Sequence, residues 1–176
     1  KRNVLFPSRG IKEKGIEVFA QVSNIMNSID CFSFNFIHVG NFPDYMSEKE
    51  YHEYASKNKF KALGYKKNIQ EIYEQCDIVF LPSMYREGTP KSLIEAIFHN
   101  KIIVTSKIAG CEETVFHGLN GFLCAPGNIH DFVSALYNTK MIDTDKKTQT
   151  NNFLLKKYNV QNLYKTHLEI YKNLIL

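Results

Sequence analysis

The 176 residues suffice for one domain built around one core. At 44% hydrophobic and 23% charged residues the composition is that of an ordinary globular protein, and no apolar run approaches the roughly 20 residues a membrane helix needs. The formal charge of +4 comes from scattered lysines, with no basic block or aromatic-interleaved stripe. That argues against nucleic acid as a partner and suits an anionic small ligand or an anionic membrane surface.

Short apolar runs alternate with longer amphipathic stretches. Lys1 and Arg2 lead, without a leader pattern, into a strand over Val4–Pro7, an opening expected of a piece cut from a longer protein. Gly15–Ile29 reads as a helix, with Ile16, Phe19, Ala20, Ser23 and Met26 at helical spacing. Phe34–Val39 is a second strand ended by Gly40. Ser47 starts a polar helical insertion with Glu50 as its capping-box partner. Phe60–Leu63 is a short strand stopped by Gly64. Asn68 caps a helix running to Cys76, with Glu71 at the matching position. Ile78–Leu81 is wholly apolar, as expected of a strand in the middle of a parallel sheet.

Thr89 and Pro90 have the character of N-cap and first helical residue, and that helix extends to about His99. Strands follow at Ile102–Thr105 and Gly121–Leu123, then a helix over Asn128–Asn138. Met141–Thr150, polar and rich in lysine, reads as a loop or frayed helix. Val160, Leu163, Tyr164, His167, Leu168, Tyr171 and Leu174 describe an amphipathic helix at the end of the chain. Alternation of this kind predicts an α/β domain, a parallel sheet sandwiched by helices. Ligands of such sheets bind beyond the carboxyl ends of the strands, which directs attention to the loops after Pro7, Val39, Leu63, Leu81 and Thr105.

Two segments carry chemistry. In Ser8-Arg9-Gly10-Ile11-Lys12-Glu13-Lys14-Gly15, two cations sit on a loop that enters a helix. A diphosphate needs charge-assisted donors there, although the spacing fits two solvated surface cations equally well. The second segment runs from Leu81 to Ala96. An apolar strand ends in a loop, and a capped helix begins whose free N–H groups near Lys91, Ser92 and Leu93 form an anion site with the helix dipole. On a helical wheel Leu93, Ile94, Ile97 and Phe98 share a core-facing arc, which leaves Glu95 on the open side beside Ser92 and His99. Glu87 and Glu95 beside a phosphate site make sense if each accepts hydroxyl donors from sugars.

Glu87-Gly88-Thr89-Pro90…Glu95-Ala96 resembles the E-x7-E signature of family 4 retaining glycosyltransferases. Asp77-Ile78-Val79-Phe80-Leu81-Pro82-Ser83 is similar to the strand that precedes it. Arg9…Lys14-Gly15 matches the family's Arg-x4-Lys-Gly; Gly110-Cys111-Glu112-Glu113 and Gly118-Leu119-Asn120-Gly121-Phe122-Leu123 match its later signatures. The order agrees across nearly the whole chain.

The resemblance implies the C-terminal, Rossmann-like half of a GT-B fold, with residues 1–176 a single nucleotide-sugar-binding domain. The N-terminal acceptor domain, with the family's catalytic histidine loop, would be absent from this sequence. It further implies that Arg9 and Lys14 bind the donor diphosphate, Glu87 the sugar near the reacting carbon, and Glu95 the ribose. Gly88, Thr89, Lys91, Ser92 and Leu93 would contact sugar and phosphate, with Gly64 and Tyr65 flanking the base and Arg86 a substrate contact. The donor would be a UDP-linked hexose or N-acetylhexosamine, transferred with retention and without a metal, since the cations stabilise the departing diphosphate. The subgroup most similar to these motifs adds N-acetylgalactosamine to bacterial lipid-linked glycans, which implies a glycan or lipid-linked acceptor and a cytoplasmic protein in peripheral contact with the inner membrane face. Two other readings stay open: a nucleotide or phosphosugar-binding module without transfer chemistry, and a sugar-nucleotide epimerase of GT-B architecture.

Four further features read as structural. Cys31, Cys76, Cys111 and Cys124 form no CxxC pair and suit reduced, buried thiols. The six histidines show no metal-ligand spacing. Asp143-Thr144-Asp145 imitates a DxD metal motif but lies in a polar stretch away from any strand end. His117 reads as a turn histidine.

Overall fold

The computed structural model describes residues 1–29 and 34–159. Six parallel strands form one sheet: β1 (Arg2–Pro7), β2 (Phe34–Val39), β3 (Lys61–Ala62), β4 (Ile78–Leu81), β5 (Ile102–Ser106) and β6 (Gly121–Cys124), in the order β3-β2-β1-β4-β5-β6. This is the expected α/β sandwich. β4 is buried along its whole length, which explains its unbroken apolar run.

The helices are α1 (Ile16–Met26), α2 (Glu48–Lys57), α3 (Gln70–Gln75), α4 (Lys91–Phe98), α5 (Ile129–Asn138) and α6 (Thr144–Lys157). α1 packs on α5, and α4 packs on α6. Phe19 of α1 anchors an aromatic core, its ring 5.0 Å from Phe6, 5.2 Å from Phe60 and 5.9 Å from Phe80. Phe80 continues the chain of rings to Phe132 of α5 at 5.1 Å.

Local signals act as expected at the starts of α2 and α5. Ser47 and Glu50 form the reciprocal capping box that opens α2. Asn128 caps α5 through the amides of His130 and Asp131. Asn68 is not the cap expected for α3: the N-cap is Ile69, without a side-chain cap, although the Asn68 side-chain oxygen accepts from the Gln70 amide at 3.2 Å.

Three further expectations need correction. Pro90, not Thr89, is the N-cap of α4: its ψ of 128° is extended, so the helix begins at Lys91. The Thr89 hydroxyl is instead engaged by the Tyr158 hydroxyl. On α4 the core-facing set is Leu93, Ala96 and Ile97, whereas Phe98 is 69% exposed. Finally, Met141–Thr150 is neither loop nor frayed. It begins at the end of a short 3-10 turn, Thr139–Met141, and holds the first half of α6, which Asp143 caps by accepting from the Lys146 amide. The amphipathic pattern from Val160 to Leu174 lies outside the described residues.

A buried asparagine chain fastens α6. Asn120 donates to Asn151 Oδ1 at 2.9 Å and to the Thr114 carbonyl at 3.1 Å, and its own oxygen accepts from the Phe116 amide at 2.8 Å. Asn151 passes the chain on to Asn100 at 3.0 Å. Asn151→Ala should lower unfolding stability by about 2 kcal/mol, because it removes one hydrogen bond from buried Asn120 and another from half-buried Asn100. Urea unfolding would measure this, and a loss below about 0.5 kcal/mol would show that the chain of amides contributes little.

His38, near the end of β2, is fully buried against Phe6 and Tyr51. Burial lowers its pKa from 6.5 to about 4. The unfolded chain therefore takes up this proton first as the pH falls. Stability is intact above about pH 6.5 and drains away between there and about pH 4. Going from pH 7 to pH 5 should cost about 2 kcal/mol through this residue. In His38→Gln that component of the pH dependence should vanish, as read from urea midpoints at the two pH values.

Candidate active site

The strand order reverses between β1 and β4, so the loops following these two strands flank the crevice where ligands of such sheets bind. The loop after β1 ends in a 3-10 turn, Lys12–Lys14, and then Gly15, whose φ of 84° lies in the left-handed region. A Cβ on Gly15 would fall 2.0 Å from the Pro82 carbonyl oxygen. Only glycine permits both the turn and this contact. The start of α1 is thereby seated on the loop that leaves β4. The Met84 amide also donates to the Glu13 carbonyl at 2.9 Å.

This stitching brings Lys14 to Glu87. The ammonium pairs with Glu87 Oε2, and the hydroxyl of buried Ser83 donates to Glu87 Oε1. Both carboxylate oxygens are thus engaged, and the two charged side chains are only 16% and 10% exposed. The Lys14 ammonium also lies 5.7 Å from the centre of the Tyr85 ring. From the other side, Gly110 (φ 84°) abuts the backbone, where a Cβ would meet the Glu87 carbonyl at 2.4 Å. Cys111 lies beneath, its thiol pushed up to about 11 mainly by burial. Cys76 and Cys124 are likewise buried free thiols, and Cys31 lies outside the described residues.

Around this pair, Arg9, Arg86 and Lys91 are exposed and make no ion pair among the described residues. At the start of α4 the amides of Lys91 and Ser92 lack an acceptor among the described residues. Leu93 departs from expectation, since its amide already donates to the Pro90 carbonyl at 3.0 Å. Gly88 is exposed and open around its Cα, and Thr89 is half-buried.

Glu95 is exposed on α4, one side of an open cleft of about 450 Å³ whose walls include Lys67, Asn68, Tyr73 and His99. Tyr73 is buried and stacked on His99 at 5.2 Å. Its hydroxyl donates to the Ser92 carbonyl at 3.0 Å and touches Glu95, and burial together with that carboxylate raises its pKa strongly. Gly64 lies two residues past β3, its carbonyl accepting from the Gly40 amide at 3.1 Å, and Tyr65 projects into solvent with 71% of its surface exposed. The expected residues therefore form two neighbouring groups. Lys14 and Glu87 touch, with Arg9, Arg86 and Gly88 on the same two loops, while Glu95 faces α3 in the adjoining cleft.

Ser83 and Tyr73 were not among the expected site residues. Nothing in the local pattern marks either, since the partner of each hydroxyl is set by tertiary packing. The Asp143-Thr144-Asp145 triplet is accounted for by the α6 cap, and His117 by a ring nitrogen that accepts from the Leu123 amide at 3.1 Å. No group of three His, Cys, Asp or Glu side chains suited to a metal occurs among the described residues.

A doubly wound parallel sheet flanked by helices is the architecture of a Rossmann-like domain of the GT-B glycosyltransferases. The chain belongs to the family described as glycosyl transferases group 1, whose model matches residues 1–139. A curated relative is the N,N'-diacetylbacillosaminyl-diphospho-undecaprenol alpha-1,3-N-acetylgalactosaminyltransferase of Campylobacter jejuni. It is 30% identical over 128 residues, 73% of this chain and 32% of the relative. Among solved structures, Anabaena HepE in complex with UDP-glucose superposes with a TM-score of 0.79 at 24% identity, covering 97% of this chain and 48% of HepE. TarM, from S. aureus, gives 0.78 at 20% identity, covering 97% of this chain and 35% of TarM. This chain thus spans less than half the length of each.

The Lys14–Glu87 pair can be weighed by a double-mutant cycle with Lys14→Met and Glu87→Gln. The expected coupling is about 1–2 kcal/mol, between the values typical of exposed and of fully buried pairs. Lys14→Met should be the costlier single change, since it leaves a mostly buried carboxylate with Ser83 as its one remaining partner. A coupling near zero would show that the contact contributes no stability.

Proposed function

We propose that this chain is the donor-binding domain of a retaining glycosyltransferase that uses a UDP-linked hexose or N-acetylhexosamine. One observation carries the reading: Lys14 and Glu87 meet at the switch point, and unpaired cations and peptide amides surround them. A diphosphate needs that set of donors, and a sugar needs the acceptors of a carboxylate.

In this reading Arg9 and Lys14 grip the diphosphate, with the Lys91 and Ser92 amides behind it. As the bond between sugar and phosphate breaks, negative charge grows on the leaving oxygen. Fixed cations there lower the barrier without a metal ion. Glu87 accepts sugar hydroxyls, Glu95 takes the ribose hydroxyls, and the base lies along Gly64 and Tyr65. The UDP and UDP-glucose complexes of HepE support a uridine nucleotide donor. The name of the Campylobacter relative supports an N-acetylhexosamine and a lipid-linked acceptor, held by a part of the protein beyond this domain.

Calorimetric titration with UDP tests the reading. The chain should bind UDP, and Arg9→Ala, Lys14→Ala and Glu95→Ala should each weaken binding by about tenfold or more, as expected for a lost charge-assisted bond. Absence of UDP binding, or affinity unchanged from the unmodified chain in all three variants, would overturn it.

A further inference from the structure

We propose that His38 and Tyr51 act as a positioning pair that holds the Ser8–Gly10 loop in place and so aims Arg9. The pair lies below that loop, and neither residue belongs to the expected ligand contacts.

The geometry leaves little choice of hydrogen placement. His38 Nε2 lies 2.9 Å from the Ser8 carbonyl oxygen, which can only accept, so Nε2 carries the proton. In a neutral ring Nδ1 is then an acceptor. It lies 3.0 Å from the Tyr51 hydroxyl, which donates to it. Hydroxyl, imidazole and carbonyl thus form one directed relay, and both side chains are fully buried.

The same two residues define the floor under the next turn of the loop. A Cβ on Gly10 would come within 3.1 Å of the Tyr51 oxygen and 3.2 Å of His38 Cε1. The Gly10 amide in turn donates to the Asn41 carbonyl at 2.8 Å. Arg9 therefore stands between a clamped carbonyl on one side and a clamped amide on the other. Its side chain is exposed, but its backbone has little freedom to swing. An ordered backbone spares a bound anion the entropy of fixing the loop.

This also gives α2 a task. The helix is polar and packs at the sheet edge beside β3, and its buried residues are Tyr51 and Ala55. The inference rests on the reading of Arg9 as a diphosphate contact, but the loop order it asserts can be measured without any ligand.

Two measurements on the full chain test it. In the absence of ligand, amide hydrogen exchange should accelerate at Gly10 and its neighbours in Tyr51→Phe, which removes one hydroxyl and keeps the ring. It should accelerate further in His38→Leu, while His38→Gln, whose amide can still donate to Ser8, should restore part of the protection. UDP affinity should fall by about three- to tenfold in Tyr51→Phe, fall further in His38→Leu and recover in part in His38→Gln. Unchanged exchange at Gly10, or exchange that rises evenly over all six strands, would overturn the proposal and leave the pair a plain part of the core. Faster exchange at the loop with UDP affinity unaltered would overturn the link to Arg9. If the unmodified chain ignores UDP, the donor reading fails, whereas the exchange result still decides whether the pair positions the loop.

Discussion

The contact between Gly15 and Pro82 is the constraint on which the site depends. Two strands that neighbour each other in the sheet lie far apart in sequence, and each ends in a loop whose path is not dictated by the strand. Seating the start of α1 on the Pro82 carbonyl fixes one loop against the other. Lys14 immediately precedes Gly15, and Glu87 lies five residues beyond Pro82, so the two charges meet as a consequence of that seat. Gly110 closes the far side by abutting the Glu87 backbone. Two glycines without side chains thus place two side chains that carry charge.

That placement leaves the charges nearly neutral as a pair and the surroundings positive. Glu87 is satisfied by Lys14 and Ser83, whereas Arg9, Arg86 and Lys91 have no acid of their own among the described residues. A dianionic ligand entering this crevice meets exposed cations that have no acidic partner among the described residues. It also competes with Glu87 for Lys14. If a carboxylate loses its ammonium partner in a partly buried setting, it needs new donors, and sugar hydroxyls are such donors. The proposed diphosphate and the proposed sugar are in this sense complementary demands of a single ion pair: the first draws on the lysine, and the second replaces what the glutamate gives up.

The fold was legible where local chemistry and global arrangement agree. Ile78–Leu81 is apolar without interruption because both faces of the sheet cover it, and Ser47 with Glu50 caps α2 through bonds that need nothing beyond four residues. It was not legible in α6. That helix is held by Asn151 and Leu154 rather than by an apolar stripe, and its cap, Asp143, sits in a triplet that resembles a metal motif. Phe98 misled for a related reason. Its position on the helical wheel borders the core arc, but the small Ala96 occupies the contact instead, and Phe98 turns to the cleft it shares with Glu95. In the site, Lys14 and Glu87 could be named from motif order, because the motif records a spacing that the sheet converts into contact. Ser83 and Tyr73 could not. Each acts through a hydroxyl whose partner is chosen by tertiary packing, and neither spacing nor periodicity encodes that choice.

The same distinction bears on how such a site is kept in register. Ligand contacts on loops are exposed by necessity, so nothing around Arg9 itself can hold it. Order has to be imported from buried groups one layer down. His38 suits that task only while neutral, because a protonated ring could no longer accept from Tyr51, and its burial keeps it neutral well below the pH at which an exposed histidine would charge. Packing that removes a histidine from titration therefore also protects the direction of the relay. An apolar residue at this position would fill the space equally well, but the Ser8 carbonyl would then lose its donor, and the backbone at Arg9 would be free to follow the water instead of the ligand.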